Sequence, residues 1–173
     1  MAKTTKFSHP RCLPAERLAA PSFPAAGDEV YPNGVFCFHI TGLLKWLNAN
    51  PQPIISVPVR AFSEMHAVDD FIDKADVSQP IVLAEMAPDY RDFIPEIPEE
   101  SWQVRGYVCI DGNHRLEKAR NMGLETLPAV VLRMEQHLPF MYRGYAQYVE
   151  YWNGKLQDRV RDAQNRKPEN PLS

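Results

Sequence analysis

The chain is poor in cysteine, and what it has forms no pattern. Cys12, Cys37 and Cys109 are odd in number and far apart, so no disulfide framework, CxxC redox pair or zinc-ligand spacing is written here. Three reduced thiols in a cytoplasmic protein are expected, with Cys37 and Cys109 acting as small hydrophobes inside apolar runs. No apolar run approaches the roughly 20 residues that cross a bilayer, so no membrane is expected among the partners. The opening residues lack the apolar centre of a secretory signal, which points to the cytoplasm. Walker A, GxGxxG, GxSxG and HExxH patterns are all missing, which removes several common enzyme classes. An excess of positive charge is missing too. Lys and Arg number 19 against 22 Asp and Glu, a formal net charge of −3, and this disfavours nucleic acid as the main partner.

What is present fits one domain. The 173 residues are 45% hydrophobic and 24% charged, normal for a globular chain able to bury a real core. Proline is abundant at both ends. Pro10, Pro14, Pro21, Pro24 and Pro32 mark residues 1–32 as an extended or partly disordered arm. A single domain is expected over 33–166 and a loose tail over 167–173.

Within the domain, short apolar runs alternate with helical patterns. Strands are predicted at 35–40, 54–59, 81–84, 106–110 and 127–132. Helices are predicted at 43–48, capped by Thr41, at 63–75, at 116–122 ending on Gly123, and from about 139 to 166. The last carries Tyr142, Tyr145, Tyr148, Tyr151 and Trp152 at spacings of three and four. That stripe reads as the face docking the helix onto a sheet, or else as a base-stacking wall or an oligomer surface. Residues 86–101 read as an acidic, proline-rich loop. The strand, helix, strand order over 106–132 predicts a parallel pair joined by a right-handed crossover. The fold class is α/β in the α+β sense: a small mixed sheet, short helices and an aromatic C-terminal helix.

The most specific stretch is Tyr107-Val108-Cys109-Ile110-Asp111-Gly112-Asn113-His114-Arg115. An apolar strand stops at a polar turn and a helix begins at once. Such a junction aims backbone N–H groups, an imidazole and a guanidinium at one small volume, and so suits an anion such as phosphate. Arg115 can hold two phosphate oxygens, and His114 can donate or shuttle a proton near neutral pH. Gly112 permits close backbone approach. Asn113 can cap the helix while meeting the ligand. Asp111 makes sense as a base, as a partner orienting His114, or as a Mg²⁺ ligand.

The motif Ile-Asp-Gly-Asn-His-Arg-Leu, the short helix, Gly123 and the strand Leu-Pro-Ala-Val-Val-Leu resemble the ParB/sulfiredoxin-like superfamily. Gln79-Pro80-Ile81-Val82-Leu83 is similar to its Pro-Ile-Val strand, and 54–59 to its opening strand. The resemblance covers about residues 54–133. It implies nucleotide phosphates at 111–115, with ATP or ADP as cofactor and Mg²⁺ if the protein is a catalyst. Sulfiredoxins place their working cysteine directly before His-Arg, where this chain has Asn113, which argues against that chemistry. Partitioning proteins continue into a helix-turn-helix domain, whereas here one aromatic helix is expected. The free serine kinase branch carries the closest motif, with His in place of Asn113 and an upstream carboxylate as base. The resemblance therefore implies a phosphoryl transfer to a small acceptor.

Glu64 is the preferred base, with Asp69, Asp70 and Glu85 as alternatives. The competing readings are a plasmid- or phage-associated ParB-like DNA-binding protein or nuclease, and a non-catalytic nucleotide sensor. His39 is expected to be a satisfied core residue. His66 could face the 111–115 site, which spacing alone does not decide, and His137 lacks the helical partner of a metal site.

Overall fold

The structure, a computed structural model, describes residues 6–62, 69–94 and 106–166. It has an α+β fold with two sheets. The larger is four-stranded, in the order β3 (Ile54–Pro58), β6 (Thr126–Leu132), β4 (Ile81–Glu85), β5 (Tyr107–Asp111). The smaller is antiparallel, in the order β1 (Val30–Asn33), β2 (Phe36–His39), β7 (Met141–Arg143). The helices are α1 (Ile40–Ala49), α2 (Asp69–Ile72), α3 (Asn113–Asn121), α4 (Met134–His137) and α5 (Tyr145–Asn165).

Strand β4 shows why the larger sheet forms. All five of its residues are buried, because it is flanked by strands and covered on both faces. Successive side chains of a strand point to opposite faces. Ile81 and Leu83 accordingly join the cluster under α3, with Cys109, Leu116, Ala119 and Leu127. Val82 and Ala84 join the second cluster, with Phe38, Leu43, Tyr148 and Trp152. A strand covered twice needs a continuous apolar run rather than an alternating one, and Ile-Val-Leu-Ala supplies it.

The predicted parallel pairing of the strands on either side of α3 is wrong. Strand β4 lies between β5 and β6, antiparallel to the first and parallel to the second. The connection through α3 therefore steps over a strand and returns in the opposite direction. Local sequence order fixes which elements are consecutive, not which become neighbours.

Other boundaries move for identifiable reasons. Helix α1 begins at Ile40, and Thr41 does not cap it. The Thr41 hydroxyl instead accepts from the Glu29 backbone N–H at 2.7 Å. The last helical pattern splits, so Tyr142 lies in β7 and α5 starts only at Tyr145. Gly144, at φ +90°, makes that turn, and a Cβ there would come within 2.5 Å of the Val35 carbonyl oxygen. Within α5, Tyr148, Trp152 and Leu156 are fully buried, while Tyr151 is 40% exposed. Of the aromatic stripe, Tyr148 and Trp152 thus dock the helix onto the core.

The N-terminal stretch packs against the domain, and its last residues form β1. Among the described residues no helix is long and apolar enough to cross a membrane.

Candidate functional site

The 111–115 junction sits at the end of β5, where Asp111 pairs with Val82. Gly112 is the N-cap of α3 and takes φ +96°, a left-handed value that only glycine adopts freely. Leu116 N–H donates to the Gly112 carbonyl at 3.0 Å. The N–H groups of Asn113, His114 and Arg115 therefore precede the helical ladder. Gly112 has no side chain with which to accept from them.

The guanidinium of Arg115 folds back over this glycine. A Cβ on Gly112 would lie 2.7 Å from Nη2 and 2.8 Å from Nε of Arg115, and 2.7 Å from Ile81. Nη2 donates to the Asp111 carboxylate at 2.9 Å, and both side chains are about four-fifths buried, with exposures of 21% and 19%. Arg115 Nε is buried without a hydrogen-bond partner among the described residues. An unmatched, buried guanidinium N–H is costly unless a ligand or water completes it.

Asn113 behaves otherwise than expected. It is the first helical residue rather than the cap, and its side chain turns inward, with Nδ2 donating to the Cys109 carbonyl at 3.3 Å. Its Oδ1 is buried without a partner among the described residues. Burial, followed by the neighbouring Cys109, raises the Tyr31 phenol above its usual range, while Asn113 beside it works in the opposite direction. What Asn113 offers an anion is its backbone N–H. The His114 ring lies 5.7 Å from that of Phe71 at a tilt of 59°, which brings α2 alongside the junction. Lys118 holds that arrangement, donating to the Asp73 and Ala75 carbonyls at 2.7 and 2.8 Å.

The candidate bases separate. Glu64, like His66, lies outside the described residues. Asp70 is exposed on α2, next in sequence to Phe71; Asp69 opens the same helix. Glu85 is not brought to the junction. It pairs with Tyr107 at the other end of β4, three residues from Val82, or about 10 Å along the strand.

Glu85 instead centres a buried ionic cluster that the sequence does not announce. Its carboxylate is fully buried. Arg11 donates to its two oxygens at 3.1 and 2.7 Å, and the Met134 N–H donates at 2.9 Å. Arg133 lies 3.4 Å away. Arg11 also meets Glu135 and Asp92, and Arg133 pairs with Asp92. Burial alone would lower the Arg11 pKa, but hydrogen bonds and charge from Glu85 and Glu135 raise it overall. A lone Glu closing an all-apolar strand was the available signal, since a buried carboxylate demands a cation. No local pattern names Arg11, 74 positions away.

Two histidines are held inside the fold. His39 is buried and bonded to Asp28 at 2.8 Å and Ser22 at 2.9 Å. His137 is fully buried, with Nε2 2.7 Å from the Glu85 carbonyl oxygen, and burial lowers its pKa to about 4. No group of three or more His, Cys, Asp or Glu able to hold a metal occurs among the described residues. A Mg²⁺ ion at the junction would have Asp111 as its protein ligand there and would rely on phosphate oxygens and water for the rest. This suits Mg²⁺, which keeps several waters. No protein-family model, curated protein or solved structure matches the chain.

Proposed function

We propose that the 111–115 junction binds the phosphates of a nucleotide, ATP or ADP, and supports transfer of a phosphoryl group to a small acceptor. The supporting observation is the left-handed Gly112 at the head of α3, with the Arg115 guanidinium packed across it and one buried N–H left over. Backbone N–H groups of Asn113, His114 and Arg115 would receive phosphate oxygens at the positive end of the helix. Arg115 would add a charge-assisted grip.

The Asp111–Arg115 ion pair gives the site a gate. A phosphate would compete with Asp111 for the guanidinium, and Asp111 would then hold a Mg²⁺ ion bound to the nucleotide, whose charge would compensate the carboxylate. Asp111 would turn toward the metal as Arg115 turns toward the phosphate. In the transfer, the acceptor hydroxyl oxygen bonds to the terminal phosphorus as the bridging P–O bond breaks. The shortened nucleotide leaves, and the hydroxyl proton passes to a carboxylate. Asp111 and Glu64 are the residues proposed for that proton, and His114 for a hydrogen bond to the phosphoryl group. Positioning and charge neutralisation carry most of such a reaction.

Thermal unfolding with ATP or ADP, with and without Mg²⁺, tests the reading. Specific binding raises the midpoint in the wild type and not in Arg115→Ala. No shift under any of the four conditions would overturn it. Binding without turnover over a panel of small hydroxyl acceptors would favour the nucleotide sensor instead.

A further inference from the structure

A cavity of about 340 Å³ lies between the N-terminal stretch and the α4–α5 region. Leu13, Pro14, Met134, Leu138 and Tyr145 give it largely apolar walls, and Arg17 lines it as well. The volume is at the small end of the range for ligand pockets, enough for one ring or a short alkyl chain.

The charges around this cavity are unequal in their partners. Arg11 and Glu135, which also line it, bond to each other at 2.8 and 2.9 Å, and Arg11 is further neutralised by Glu85. Arg17 has no carboxylate partner among the described residues. One of its nitrogens donates to the Leu138 carbonyl at 2.9 Å, and its guanidinium carbon sits 4.6 Å from the centre of the Tyr145 ring. Those two contacts hold the guanidinium in place and use one of its five N–H donors, leaving the others for an acceptor. Tyr145 in turn donates its hydroxyl proton to the Pro14 carbonyl at 2.9 Å, fastening the arm beside the cavity.

We propose that this cavity binds a small amphipathic carboxylate, its apolar body between Leu13, Met134 and Leu138 and its carboxylate on Arg17. An apolar volume rewards a hydrocarbon, and a held, unneutralised guanidinium selects a planar anion over a neutral head group. The site is separate from the 111–115 junction. Met134 and Leu138 follow the end of β6 that pairs with Ala84, whereas Asp111 pairs with Val82 at the other end of β4.

Titration calorimetry on the full chain with hexanoate, and with hexanol as its neutral counterpart, tests the assignment. We expect saturable hexanoate binding and at least about 10-fold weaker binding of hexanol. Arg17→Met should erase that preference, and Arg17→Lys should restore part of it. Hexanoate should also slow maleimide modification of Cys12, which lines the same cavity. The ATP-induced thermal shift should survive in Arg17→Met, and hexanoate binding should survive in Arg115→Ala, so either site can fail alone. No saturable hexanoate binding, equal affinity for acid and alcohol, or a preference that persists in Arg17→Met would overturn the proposal.

Discussion

Arg11 and Glu85, 74 residues apart, form a two-nitrogen, two-oxygen ion pair in which the carboxylate is completely shielded from solvent. The pair joins an irregular, proline-rich segment to the end of the most buried strand. Removing one member of a buried pair leaves the other as an uncompensated charge. We therefore expect Arg11→Met to destabilise the fold by about 3 kcal/mol or slightly more, near the lower end for such pairs because Arg133 remains nearby. Urea unfolding measures it.

His137 sets a pH dependence. Its folded pKa of about 4 lies below the ordinary 6.5 because burial disfavours the charged ring. Between those values the unfolded chain binds more protons than the folded one. Stability is therefore highest above pH 6.5 and falls as pH drops from 6.5 to about 4, by roughly 3 kcal/mol in all. Unfolding free energies at several pH values should show this slope, and His137→Gln should flatten it. Asp89 contributes at lower pH. Burial works against its ionised form, but hydrogen bonds from Arg91 and Tyr107 outweigh that and lower its pKa. Its stabilisation is thus present above the ordinary carboxylate range and lost below it.

Gly112→Ala should be expensive for its size. The residue has φ +96°, and a methyl group would collide with Arg115 and Ile81. We expect a loss of about 1–3 kcal/mol in stability together with loss of the nucleotide-induced thermal shift. Gly123→Ala is the control, since its φ is also positive but nothing lies within 4 Å of the added methyl. It should lose stability and keep the shift.

Asp111→Asn separates the two tasks given to that residue. With the ion pair gone, Arg115 is released, and Mg²⁺-free ATP should bind about 5-fold more tightly. Dependence of binding on Mg²⁺ should shrink, and any turnover should disappear. Calorimetry with and without the metal distinguishes this from simple unfolding.

Cys109 should be chemically silent. It is 2% exposed, and burial, helped by the Asp111 charge, pushes its thiol up to about 12. Iodoacetamide at neutral pH should leave it unmodified in the native protein and label it after denaturation, as mass spectrometry would show.

The strands were readable where burial is two-sided. The residues of β4 and the apolar stretch of β5 stand out because both are continuous hydrophobic runs. Strands β1 and β7 carry no such signal. The first is half-exposed and contains Pro32, and the second has three residues set between a helical turn and a glycine. The polar junction was legible as a turn, yet α3 starts three residues earlier than its apolar pattern suggests, because its first turn is the motif itself. Non-local geometry was beyond reach. Neither the insertion of β4 between β5 and β6 nor the choice of Arg11 as the partner of Glu85 leaves a periodic trace.

The bonds from residues 11 and 13 to Trp152 and Asn153, at 2.8 to 2.9 Å, also impose an order of events during translation. The arm leaves the ribosome well before the helix that receives it, which is made some 140 positions later. Until then Arg11 lacks the Trp152 ring, whose centre lies 4.8 Å from its guanidinium carbon, and the core cluster that Tyr148 and Trp152 complete stays open to water. A stalled nascent chain should therefore acquire its protease resistance abruptly, once α5 emerges, rather than strand by strand.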